Sequence, residues 1–140
     1  MIIYCTQDVK MPVFSKRKIS AWIKLIASQY KKKVGDIAYI FCSDDKILEI
    51  NNEYLSHDYF TDIITFDYSS DDIISGDIFI STDTVRTNAI KFNNFYEKEL
   101  YRVIIHGILH LCGLEDNTKE KRIQMEEDED SSLNILYTNF

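Results

Sequence analysis

The order of short β-prone runs and longer amphipathic stretches predicts an α+β fold, a small mixed sheet packed with helices. Three observations lead there. Runs rich in Ile, Tyr, Phe and Thr recur between segments of helical periodicity. The 140 residues suit a single hydrophobic core. A composition of 45% hydrophobic, 13% aromatic and 28% charged residues is too apolar for a disordered chain and too charged for a membrane protein. With no repeat, linker or low-complexity stretch, one domain over residues 1–140 is expected.

Residues 2–6 (Ile-Ile-Tyr-Cys-Thr) read as a short strand. Ser15 then stands as an N-cap for a helix reaching about Tyr30, in which Ile19, Trp22, Ile23, Ile26 and Tyr30 form one apolar stripe. Lys16, Arg17 and Lys24 avoid that stripe and give the helix a basic face. Gly35-Asp36 interrupts the pattern before a second strand over 37–42, apolar on both faces as a central strand would be. Ser43-Asp44-Asp45 caps a helix running through Ile47, Ile50 and Tyr54. After a polar stretch at 55–61, strands at 63–68 and 78–80 are expected, joined by the acidic turn around 69–72 and by Gly76-Asp77. Helices from Thr82 to about Asn93 and from Glu97 to about Cys112 follow, with Gly113 stopping the second, and a last helix spans about 118–129.

No apolar run approaches the ~20 residues of a spanning helix, and no signal-peptide pattern opens the chain, so a cytoplasmic protein with no membrane partner is expected. Cys5, Cys42 and Cys112 are odd in number and widely spaced, and read as reduced core thiols. The net charge of −7 is unevenly placed, with +7 over residues 1–33 and −14 over the rest. The basic third is a footprint that phosphate can use.

Chemistry concentrates in His106-Gly107-Ile108-Leu109-His110, within the most apolar helical pattern of the chain. Four residues turn a helix by ~400°, so both imidazoles project from one face and reach one metal ion. Gly113 lets the chain reverse, and Asp116 lies three residues beyond, completing H-x-x-x-H-x-x-G-x-x-D. Three protein ligands leave a coordination position for water, as in catalytic zinc sites, so His106 and His110 act catalytically through that water. Glu115 competes as the third ligand, and a two-His, one-carboxylate set also matches non-haem iron sites. Cys112 sits about 200° around the helix from His110 and is assigned to packing. A zinc protease places a glutamate directly after its first histidine, where this chain has Gly107, which disfavours peptide hydrolysis.

The chain resembles the YbeY-type rRNA maturation factors, single-domain metal-dependent endoribonucleases. Their signature H-G-x-L-H-L-x-G-Y-D-H is similar to His106-Gly107-Ile108-Leu109-His110-Leu111-Cys112-Gly113-Leu114-Glu115-Asp116. A second block, N-x-x-Y-R-x-x-D-x-x-T-D-V-L-S-F, resembles the stretch from Asn51 to Phe66, and a third, G-D-I-x-I-S, resembles Gly76 to Ser81. The resemblance implies a mixed four-stranded sheet with a zincin-like metal helix and one zinc ion per chain at the histidine cluster. It also implies cleavage of single-stranded RNA in 3′-end maturation of small-subunit rRNA and in ribosome quality control. Its partners would be rRNA and the small ribosomal subunit, with no DNA. Two positions depart from the family: Asp116 replaces a histidine, and Leu55 replaces an arginine that could hold the scissile phosphate. His57 or a lysine of the first helix would take that task, and RNA contacts are expected at Lys16, Arg17, Lys24 and His57. A metalloprotease-like hydrolase and a non-catalytic ribosome-associated factor with a structural metal are the alternatives.

Overall fold

The computed structural model describes residues 1–55, Leu55 by its backbone alone, and residues 61–140. His57 therefore lies outside the described residues, as does the side chain of Leu55. In chain order the elements are β1 (Ile2–Gln7), α1 (Lys16–Gln29), β2 (Lys33–Cys42), α2 (Asp44–Leu55), β3 (Ile63–Asp67), β4 (Ile73–Ser81), α3 (Thr82–Lys91), α4 (Tyr96–Leu111) and α5 (Lys119–Asn139). The described strands form one mixed four-stranded sheet in the order β1-β2-β4-β3. β1, β2 and β4 run parallel, and β3 pairs with β4 antiparallel as a hairpin.

The expected caps form. Ser15 Oγ accepts from the Lys18 amide at 3.2 Å, and Ser43 Oγ accepts from Lys46 at 3.2 Å. Three boundaries differ from expectation. β2 begins at Lys33, through Gly35-Asp36, because its first residues pair with Ile73 and Ile74 of β4 across a register shift between Val34 and Ile37. For the same reason β4 begins at Ile73, and Gly76-Asp77 lies inside it rather than in a turn. α5 runs to Asn139, ten residues beyond the expected end. Its buried face is Met125, Glu129, Ser132, Leu133 and Leu136, a helical spacing in which two polar members hide the apolar stripe. The cysteines are free, as expected, but Cys5 is exposed on edge strand β1 and only Cys42 and Cys112 are buried.

The larger core lies on one side of the sheet. There Ile37, Tyr39 and Phe41 of β2 and Ile74, Ile78 and Ile80 of β4 meet α1, α4 and α5. A smaller cluster of Cys42, Ile47, Ile50 and Ile64 joins α2 to the other face. Each fully buried large side chain contributes roughly 1.5–3 kcal/mol. Two directional bonds fix how the helices seat. Tyr39 Oη donates to the Ile104 carbonyl of α4 at 2.9 Å, and Trp22 Nε1 donates to the Ser132 carbonyl of α5 at 2.8 Å. Gly107 sets the depth of α4: a Cβ there would stand 3.1 Å from both Ile63 Cδ1 and Ile78 Cδ1. A glutamate at this position would have to displace the sheet residues beneath it.

Candidate metal centre

α4 ends on the side of the sheet where β3 finishes and β4 begins. Gly113 there takes φ +103°, a conformation open to glycine, and its amide closes on the His110 carbonyl at 2.9 Å. The reversal brings Asp116 back over the last turns of α4. Its Oδ2 lies 3.5 Å from His106 Nε2 and 3.3 Å from His110 Nε2, and the two Nε2 atoms are 2.9 Å apart. Zinc bound tetrahedrally at ~2.0–2.1 Å holds its ligand atoms ~3.3 Å from one another, close to this triangle.

The protons of both rings are set by the atoms behind them. His110 Nδ1 donates to the Leu114 carbonyl at 2.9 Å, and His106 Nδ1 donates to Glu129 Oε2 at 2.6 Å. With each Nδ1 carrying the proton, each Nε2 is left with a lone pair facing the Asp116 carboxylate. Two lone pairs and a carboxylate oxygen aimed at one point call for a positive charge between them, and the donor set suits a divalent cation. Burial disfavours a charged His106 ring, but Glu129, by hydrogen bond and charge, and then Asp116 and Asp62 outweigh it and raise its pKa.

The triad opens onto a groove of about 760 Å³ between β3 and the turn after α4. Thr61, Asp62, Thr65 and Asp67 form its β3 wall, and the side chains of His106, His110 and Asp116 are 22%, 29% and 39% exposed. Asp62 has its pKa raised by burial, against the pull of His106. Glu115, the competing ligand, faces Lys121 Nζ at 2.6 Å instead, which lowers its pKa. Among the described residues, His106, His110 and Asp116 are the group whose donor atoms come within 4.8 Å of one another.

Lys16, Arg17 and Lys24 are exposed on α1, and none of the three is among the residues that line the groove. The helix runs back from the C-terminal end of β1 to the N-terminal end of β2, where Lys33 pairs with Ile73 and, next along β4, Gly76 pairs with groove residue Asp67. The Lys31-Lys32-Lys33 turn therefore stands at the end of the sheet nearer Asp67, with Lys32 Nζ on the Asp71 carbonyl at 3.4 Å. The sequence reading missed Glu129, which lies in the acidic run 126–130 that looks like a solvated face. Its only sequence signal is its place four residues from both Met125 and Leu133.

Comparison with known proteins agrees with this architecture. Residues 3–137 match the family described as Endoribonuclease YbeY. The chain is 58% identical over 135 residues to the Endoribonuclease YbeY of Parabacteroides distasonis, covering 96% of this chain and 95% of that one. It is 59% identical over 136 residues to that of Phocaeicola vulgatus, covering 97% and 99%. The solution structure of TM1509 from Thermotoga maritima superposes with a TM-score of 0.66 at 29% identity, covering 99% of this chain and 93% of that one. A match that takes in the sheet, the histidine helix and α5 alike means that the chain belongs to the Endoribonuclease YbeY family.

Proposed function

We propose that this chain is a metal-dependent endoribonuclease cutting single-stranded RNA, acting as one domain over residues 1–140 in the cytoplasm. Its metal is zinc, one ion per chain, and its task is 3′-end maturation of small-subunit rRNA with a role in ribosome quality control. The observation that carries the reading is the convergence of two Nε2 lone pairs and the Asp116 carboxylate in an open groove, in a chain whose relatives bear the name Endoribonuclease YbeY.

His106, His110 and Asp116 would hold the ion, which when bound supplies Lewis acidity toward water and a phosphoryl oxygen. Glu129 and the Leu114 carbonyl keep the two rings in the ligating tautomer. Asp62 is a groove carboxyl whose raised pKa suits it to exchange a proton with the reacting groups. The hydroxyls of Thr61 and Thr65 supply donors for phosphate oxygens.

The described groove lining includes Asp62, Asp67, Glu115 and Asp116 and holds no lysine or arginine, so the phosphates draw their counter-charge from outside it. A strand leaving at the Asp67 end meets Lys31, Lys32 and Lys33. It then passes Lys24 and, ~21 Å along α1, Arg17 and Lys16. His57, the further RNA contact expected from the sequence, lies outside the described residues. Peptide hydrolysis is not favoured, because Gly107 stands where a protease keeps its glutamate and faces the sheet.

The test is incubation of the purified chain with single-stranded RNA and with an unfolded polypeptide, each with and without chelator. RNA cleavage abolished by chelator and restored by zinc is expected. Polypeptide cleavage, or RNA cleavage indifferent to chelator, would overturn the reading.

A further inference from the structure

The metal centre has a support that belongs to neither its ligands nor its groove. Arg102, His106 and His110 fall at four-residue intervals on α4 and so share a face. Arg102 Nη1 donates to Glu129 Oε1 at 2.9 Å, while Glu129 Oε2 accepts from His106 Nδ1 at 2.6 Å. Arg102 Nη2 reaches Asp130 Oδ1 at 2.6 Å, so one guanidinium grips two consecutive carboxylates of α5. The Glu129 side chain is 7% exposed, and without Arg102 its buried Oε1 would lose the hydrogen bond that satisfies it. The two histidines differ here. His110 is oriented by a backbone carbonyl, which the turn fixes, whereas His106 is oriented by a three-torsion side chain from another helix.

We infer that Arg102 is a positioning residue for the metal centre: by clamping Glu129 of α5 against α4 it fixes the carboxylate that keeps His106 in its ligating tautomer. The inference rests on the reading that the triad binds a divalent ion. Glu129 has rotamers that turn away from His106, and the guanidinium fork, anchored on Asp130, selects the one that faces it. A lysine would supply the charge without the second bond, and so would hold Glu129 less firmly.

The test measures zinc affinity by chelator competition on the full chain, and the ring-nitrogen NMR shifts of His106 on the metal-free chain. The variants are Arg102→Met, Arg102→Lys, Glu129→Gln and the double Arg102→Met/Glu129→Gln. Loss of such an outer partner typically weakens metal binding ~10–100-fold, and Arg102→Met should fall in that range with a mixture of His106 tautomers. Arg102→Lys should recover part of the loss. The double variant should bind scarcely more weakly than Glu129→Gln alone, since Arg102 acts through that carboxylate. Should Arg102→Met fail to fold with a buried unpaired charge, Arg102→Lys and the pair of Glu129→Gln backgrounds decide the matter. Parent affinity and a single Nδ1–H tautomer in Arg102→Met, or strictly additive losses in the double variant, would overturn the inference. A parent chain that binds no zinc would instead overturn the metal reading, leaving the tautomer measurement to judge Arg102.

Discussion

α4 and α5 pack against each other and both reach the metal centre, yet their sequences obey different rules. α4 buries a nearly continuous apolar surface from Leu100 to Leu111 and carries its histidines on the one strip that faces the groove. α5 is acidic, and its buried face gives two of five positions to Glu129 and Ser132. In α4 packing and chemistry occupy separate strips, so each shows its own periodicity. In α5 a functional carboxylate sits in a core position, and the pattern of each obscures the other.

The largest expected contrast is in metal content. His110→Ala on α4 should leave almost no bound zinc by elemental analysis, whereas Glu129→Gln on α5 should still bind it, ~10–100-fold more weakly. A stoichiometrically loaded His110→Ala protein would break the assignment of ligands to α4. Stability comes next. Ile104→Ala and Leu133→Ala should each lose ~2–5 kcal/mol in denaturant unfolding, since both side chains are buried in the same core. Ile123→Ala, on the exposed side of α5, should stay within ~0.5 kcal/mol. An Ile123 loss equal to that of Leu133 would mean that the face of α5 is misplaced.

The smallest contrast is a pH slope. The raised pKa of His106, where Glu129 and Asp116 outweigh burial, means that the folded metal-free chain binds the proton more tightly than the unfolded chain does. That stabilisation is fully present below the ordinary histidine value of ~6.5 and is lost as pH rises through the folded pKa. The metal-free chain should therefore lose thermal stability across that window more steeply than Glu129→Gln does. Zinc affinity should rise over the same window, because metal and proton compete for the rings. Parallel melting curves for the two chains would remove Glu129 from the site.

The fold was legible where local rules act alone. Ser15 and Ser43 announce helix starts, the Ile19 to Tyr30 stripe gives α1, and the His106, His110, Gly113 and Asp116 spacing gives the ligand set that the geometry brings together. What escaped depends on partners distant in sequence. The first residues of β2 and β4 are strands because they pair with each other, and no local signal outweighs Gly35-Asp36 or Gly76-Asp77. Cys5 alternates outward on β1, on a face that, among the described residues, no helix covers in the way α2 covers Ile64 and Cys42. Glu129 could not be told from its acidic neighbours without knowing that Arg102 and His106 wait on α4.

Trp22 is the sole tryptophan of the chain, and its indole N–H is bonded across the seam between α1 and α5. Its fluorescence therefore reports a single environment, dry and fixed, with no second indole to dilute the signal. Any loosening of α5 admits water to that ring and shifts its emission to the red, before the sheet itself need change. Ser132, the residue it grips, is one helical turn from Glu129, so light emitted from the far side of the core reads out the helix that steadies His106.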